Sequence, residues 1–219
     1  MSGQKVLGEK KLNFNNGFKD ASFMHEYLSY SIMRNYFAAS RTSYGDMYIN
    51  GGHMGLYTVV EQVDDIFLKE NGYAFLDGDL YRVGPPDGYC TYKGDDLSSY
   101  HATELKTNED TSTGAPFTNM LYTLNDNFSA IEGGMNVTQV LQHLASQIAF
   151  VNLDSAAGDG NNILWYQARD DDHHPQMNLL AWDQNEAFGT FGCQYLHGGP
   201  MDSKDGHMKG PVKGKTKAS

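Results

Sequence analysis

The sequence predicts an α+β fold in two lobes, and three observations carry that expectation. Short β-prone runs separated by Asn- and Gly-rich turns fill the first hundred residues. A stripe of Val137, Val140, Leu141, Leu144, Ile148 and Val151 then recurs at helical spacing, which marks one long amphipathic helix. Behind it, Asn162–Gln167 and Met177–Trp182 flank the polar stretch Arg169–Pro175, the pattern of a hairpin. A strand-rich N-terminal lobe and a helix-plus-hairpin C-terminal lobe, with a cleft between them, is the architecture these runs imply.

Taken in order, Lys11–Phe14 alternates and reads as a short strand that Asn15, Asn16 and Gly17 break. Asp20 or Ser22 offers a cap for a helix from Phe23 to Phe37, with Phe23, Tyr27, Leu28, Ile32 and Tyr36 as its apolar stripe. Asp46–Asn50 and His53–Glu61 flank Gly51-Gly52, a hairpin signal. Asp64 or Asp65 caps a short helix that stops at Asn71-Gly72. Asp79–Val83 is a strand, and the Gly84–Gly88 cluster is a turn. Tyr89–Lys93 reads as a further strand, Thr103–Lys106 is ambiguous, and Phe117–Asn125 reads as a helix. Asn136 caps the long helix, which runs into Asp154. No internal repeat is present.

Composition narrows the function. The 219 residues suffice for one domain with a sizeable core, and Lys+Arg 16 against Asp+Glu 27 gives a net charge of −11. That balance argues against a nucleic-acid surface, which needs a basic stripe. No run is long and apolar enough to span a bilayer, and the polar start carries no signal-peptide pattern. The two cysteines, Cys90 and Cys193, allow one disulfide but no CxxC zinc motif. The beginning reads as the interior of something longer, and the basic end, residues 200–219, as an unfolded tail. Three further patterns carry little. The Asp170–His174 run reads as a solvated turn, and His25 and His53 lack partners at ligand spacing. Residues 210–216 fail as a phosphate loop because Lys209 stands where its first Gly should be.

The stretch Phe150–Gly189 concentrates the chemistry. It offers Asp154 after a helix, Asn162 at a strand start and Asp183 after a strand end, and all three bear oxygens that suit Mg²⁺ or Mn²⁺ carrying a phosphate. Singly, each is more often a cap or a turn residue; their grouping within thirty positions is what singles them out. The order Asp, Asn, then Asp after a hairpin is the one protein kinases use, although here the first spacing is longer. A cation for the nucleotide phosphates would come from Arg82 or Lys106, with Glu61 as the acid that braces it.

Several separated segments then carry a resemblance: KLNFNNGFKDASFMHEYLSY, RTSYGDMYINGGHMGLYTVVEQVD, DLYR, YKGDD, ELKTNED and NLDSAAGDGNNILWY…LLAWDQNEAFG. In this order they resemble the spore-coat protein H (CotH) family across most of residues 10–195. The resemblance implies an atypical protein-kinase-like domain over residues 1–199 that moves the γ-phosphate of ATP to Ser or Thr of a protein substrate such as a spore-coat or exported protein. It matches Asp154 to the catalytic Asp of the family's NLD motif, Asp183 to its metal-binding WD Asp, and Asn162 to the Asn of a Gly-His-Asn segment. The chain has Asn161 where the family usually has His, and Leu80-Tyr81-Arg82 where it tends to read Leu-Tyr-Lys. A non-catalytic coat or surface protein that keeps the fold, and a metal-dependent phosphate hydrolase, are the alternatives left open.

Overall fold

The computed structural model describes residues 8–169 and 174–191. Residues 170–173 of the acidic-His run, Cys193, the 197–200 loop and the tail lie outside them. Among the described residues Cys90 is a free thiol.

Among the described residues, two antiparallel sheets and five named α-helices make up the fold. β1 (Leu12–Asn15), β2 (Thr42–Ile49) and β3 (Gly52–Glu61) form a three-stranded sheet in the order β1-β3-β2. The β2–β3 turn falls on Asn50 and Gly51, both with positive φ (51° and 83°), the conformation that an Asn-Gly pair adopts most readily. β4 (Leu80–Val83), β5 (Thr103–Leu105), β6 (Ile163–Arg169) and β7 (Pro175–Ala181) form the second sheet, in the order β5-β4-β6-β7. The β6–β7 hairpin therefore does not stand apart from the earlier strands: Tyr81 pairs with Trp165, and Val83 with Ile163.

The helices cover this second sheet on both faces. α2 (Asp65–Glu70) lays Phe67 and Leu68 against Leu80, Leu164, Tyr166 and Leu180. α3 (Ala115–Asp126), α4 (Ile131–Gly134) and α5 (Val137–Ala149) pack Phe117, Met120, Leu121, Ile131 and Val140 against Tyr81, Trp165, Met177 and Leu179. Each fully buried apolar side chain there contributes about 1.5–3 kcal/mol. A third cluster joins Tyr30 and Met33 of α1 (His25–Met33), Val60 of β3, Phe150, Ala181 and Ala187. It ties the first sheet to the chain segments on either side of Asp154 and Asp183.

The capping signals hold where a side chain can reach an orphan N–H. Asp64 accepts from Ile66 and Phe67 at the start of α2, and Asn136 from Gln139 at the start of α5. Asn136 also donates to Asn178 Oδ1 at 3.0 Å. Asn136→Ala should therefore lower stability by about 1–2 kcal/mol, read as a shift in urea midpoint at unchanged m-value.

Three elements differ from the sequence expectation. α5 ends at Ala149 and does not run into Asp154, and it buries Gln139, Val140, His143 and Gln147, so Leu141, Ile148 and Val151 of the expected stripe are exposed. α1 begins at His25 rather than Phe23, because Phe23 sits at φ 57°, outside the helical region. Asp20 caps it from a distance, accepting the His25 N–H at 2.8 Å. Its buried face is Glu26, Ser29, Tyr30 and Met33, so Tyr27, Ile32 and Tyr36 of the expected stripe point outward. The strand expected at Tyr89–Lys93 is absent. A short 3-10 turn, Asp87–Tyr89, runs into Cys90 at φ 54°, and the chain cannot continue extended. Among the described residues no helix is long and apolar enough to cross a membrane.

Candidate functional site

Asp154 stands on a tight turn beyond α5. Val151 at φ 50° reverses the chain after the helix. Asp159 N–H then bonds Leu153 O at 2.9 Å, and Gly158 N–H bonds Ser155 O at 2.9 Å. The turn requires glycine at 158, since a Cβ there would lie 2.0 Å from Leu153 O. Both oxygens of Asp154 are held by amides. Asn161 Nδ2 donates to Oδ1 at 2.9 Å, and Asn162 Nδ2 donates to Oδ2 at 2.9 Å and to the Asp154 carbonyl at 3.0 Å. Asn161 is thus an N–H donor to the Asp154 carboxylate.

Asn162 and Asp183 are brought to the same end of the hairpin by the β6–β7 register, in which Ile163 pairs with Ala181. Asn162 immediately precedes β6, and Asp183 follows β7 by two residues. Both adopt left-handed conformations, φ 53° and 46°, so each turns its side chain out of the strand direction. With its amide nitrogen committed to Asp154, Asn162 has its Oδ1 left as an acceptor. The Asp183 carboxylate is half-buried and makes no hydrogen bond or ion pair among the described residues.

The electrostatics show a surplus of acid around Asp183. Burial raises its pKa, the negative charges of Asp154 and Glu186 raise it further, and Arg82 opposes them. Burial and Asp154 likewise raise Asp159. Glu26, at 3% exposure, is pushed up to about 7 by burial, against two bonds from Asn15 Nδ2 and with the charge of Asp183 adding to the rise. Glu186 is offset by Lys19 at 2.6 Å, yet its Oε2 is buried without a partner among the described residues. Hard oxygens in negative surplus, one carboxylate free of hydrogen bonds, fit a divalent cation. No group of three acidic or His ligand atoms within 4.8 Å of one another includes Asp154 or Asp183 among the described residues, so any such cation would draw on Asn162 and on a ligand's own oxygens.

The three residues proposed for the nucleotide part ways. Arg82 lies on β4 beside β6, opposite Leu164, is exposed, and makes no ion pair or hydrogen bond among the described residues; its charge acts on Asp183 and Glu104. Lys106 is turned to Glu104 at 2.7 Å in an exposed pair beyond the end of β5. Glu61 braces neither. It is 3% exposed at the end of β3 and takes the Arg41 guanidinium at 2.7 Å and the Arg41 N–H at 2.9 Å. Arg41 also contacts Glu9, and reaches Glu70 at 2.7 Å. The reason is topological: β3 ends beside the start of β2, on the first sheet, whereas Arg82 and Lys106 belong to the second.

A family model described as CotH kinase protein matches residues 1–212 of the chain. This chain belongs to the CotH kinase protein family. No curated protein matches it. The matched residues include Asp154, Asn162, Asp183 and Arg82.

Four residues beside this CotH site escaped sequence reasoning. Glu186 and Gln184 lay within the stretch that drew attention, but were overshadowed by Asp183. Asn152 stood only as the first residue of the NLD segment. Glu26 carried no signal, because a lone acid in an apolar-looking helix reads as solvent-facing until its burial is seen.

Proposed function

We propose that this CotH kinase family protein is an ATP-dependent kinase of atypical, two-lobed type that phosphorylates Ser or Thr of a protein substrate, such as a spore-coat or exported protein. The observation that carries the proposal is the free, acid-surrounded Asp183 carboxylate beside the clamped Asp154–Asn162 pair, with an unpaired Arg82 acting on it. Asp183 and Asn162 Oδ1 would hold Mg²⁺ or Mn²⁺. When bound, such a cation neutralises charge on the β- and γ-phosphate oxygens.

The chain's own residues then have distinct tasks. Asp154, its oxygens fixed by two amides, orients the acceptor hydroxyl and takes up its proton as the γ-phosphoryl leaves ADP. Arg82 sits close enough to offset the charge of Asp183 and is free to meet phosphate oxygens in a fork. Lys106, engaged with Glu104 at the surface, and Glu61, held by Arg41, have no such freedom, so of the three only Arg82 is assigned to ATP here. Positioning and charge neutralisation supply most of the rate, since phosphoryl transfer asks little covalent chemistry of a protein.

The test is γ-phosphate transfer to a Ser-rich peptide with Mg²⁺ or Mn²⁺, beside the melting shift that ATP and Mn²⁺ produce. Asp183→Ala and Asp154→Ala should each abolish transfer, and transfer retained in both would reject the assignment. Free phosphate without labelled peptide would identify a hydrolase, and no melting shift would favour a non-catalytic surface protein. Arg82→Gln should raise the KM for ATP about tenfold with the fold intact, the loss expected for one charge-assisted contact.

A further inference from the structure

Beneath the site, the segments that carry Asp154 and Asp183 are joined through buried amides. Asn152 Nδ2 donates to Gln147 Oε1 of α5 at 2.9 Å and to Gln184 Oε1 at 3.3 Å. Gln184 Nε2 donates in turn to Trp182 O at 2.8 Å, so its side chain straddles Asp183. Gln147, Asn152 and Gln184 are each 1% exposed or less. Asn152 serves the other segment as well, because its carbonyl accepts Ser155 Oγ at 2.6 Å and so closes the turn that holds Asp154. From α1, Glu26 receives the Gln184 backbone N–H.

We propose that the Asn152–Gln184 hydrogen bond is a positioning contact that fixes the placement of Asp183 relative to Asp154, and thereby sets the affinity for the cation–ATP pair. It rests on the phosphotransfer reading of those two carboxylates.

Two physical arguments carry it. Asp183 is a non-glycine residue at φ 46°, a conformation that persists only when its surroundings over-determine it. The backbone bonds Phe188 N–H to Phe150 O (2.5 Å) and Gly189 N–H to Val151 O (3.3 Å) hold the outer ends of the two segments. Asn152–Gln184 is the side-chain tie next to the carboxylates themselves. Stability does not account for it. The chain runs on from Gln147 Nε2 to His143 Nε2 at 3.3 Å, and it leaves Asn152 Oδ1 and His143 Nδ1 buried without partners among the described residues, where apolar side chains of the same shape would cost less. Hydrogen bonds that tie together the segments carrying the ligand oxygens keep those oxygens at the separation a cation needs.

The experiment measures apparent Mn²⁺ affinity at fixed ATP by calorimetry in the whole chain, for wild type, Gln184→Met and Asn152→Ala. Gln139→Met is the control: it removes a buried amide of α5 that bonds the Leu179 N–H at 2.9 Å and the Leu179 carbonyl, away from the Asp183 turn. Both test variants should bind Mn²⁺ about 10–100-fold more weakly, while Gln139→Met keeps the wild-type affinity despite a comparable fall in metal-free melting temperature. The double variant Asn152→Ala/Gln184→Met should bind no more weakly than the weaker single, because the Asn152–Gln184 contact they share is already lost in either. If Gln184→Met fails to fold, Asn152→Ala decides alone. Wild-type affinity in the test variants, or an equal loss in Gln139→Met, would overturn the proposal. No binding of Mn²⁺ and ATP by wild type would overturn the phosphotransfer reading, and this proposal with it.

Discussion

Asp183→Asn should cut phosphate transfer on the order of 10³-fold, the several kcal/mol that a cation contributes to charge stabilisation in such reactions. The same change should leave the metal-free protein as stable as wild type, or more so. Asparagine tolerates the left-handed conformation at φ 46° about as well as aspartate does, so the backbone loses nothing. What is removed is a half-buried charge that burial, Asp154 and Glu186 all disfavour. Relief of even about 1 kcal/mol would raise the melting temperature by roughly 2–4 °C for a chain of this size. Loss of activity with unchanged or higher stability is the signature of a group held for function against its own electrostatics. A variant that loses both in parallel would instead make Asp183 a structural residue. The assay is peptide labelling beside a thermal melt in chelator.

The places of Asp154, Asn162 and Asp183 in the fold were legible because they lie on elements that announce themselves. The helical period of α5 and the β6–β7 pattern put Asp154, Asn162 and Asp183 near element ends, although α5 buries Gln139, His143 and Gln147 rather than Leu141 and Ile148, and a β6–β7 hairpin brings its two ends together by register alone. The capping residues Asp64 and Asn136 were legible for the same reason, being local. What was not legible depended on distant partners. Glu61 looked like a brace for a strand cation, but its partner was decided by sheet order, which put Arg41 beside it and Arg82 in another sheet. The buried face of α1 was misjudged because periodicity reports apolar residues only. Here the helix packs Glu26 and Ser29 inward, against the turn that follows Asp183. The missing strand at Tyr89–Lys93 turned on one residue, Cys90, whose left-handed conformation no propensity anticipates.

Glu26→Gln should alter the pH profile of stability by about 3 kcal/mol between pH 4.5 and 7.5. Burial lifts the Glu26 carboxyl from 4.5 to about 7. The folded protein therefore holds this proton more tightly than the unfolded chain, and the contribution is full below pH 4.5 and lost as pH rises through about 7. His143 has the opposite sign. Burial depresses it from 6.5 to about 4, so its contribution is full above pH 6.5 and lost as pH falls through about 4. At about 1.4 kcal/mol per pH unit the two swings are similar, and between pH 4.5 and 6.5 they largely cancel in wild type. Glutamine cannot titrate, and it keeps an acceptor for the Asn15 amide and the Gln184 N–H. The variant should therefore expose the His143 slope and gain stability as pH rises, where wild type stays nearly level from these two groups. Urea unfolding in chelator at pH 4.5, 5.5, 6.5 and 7.5 reads the difference directly. A gap between variant and wild type that stays constant across that range would mean that Glu26 is ionised throughout, and that the acid surplus around Asp183 is neutralised by something other than its proton.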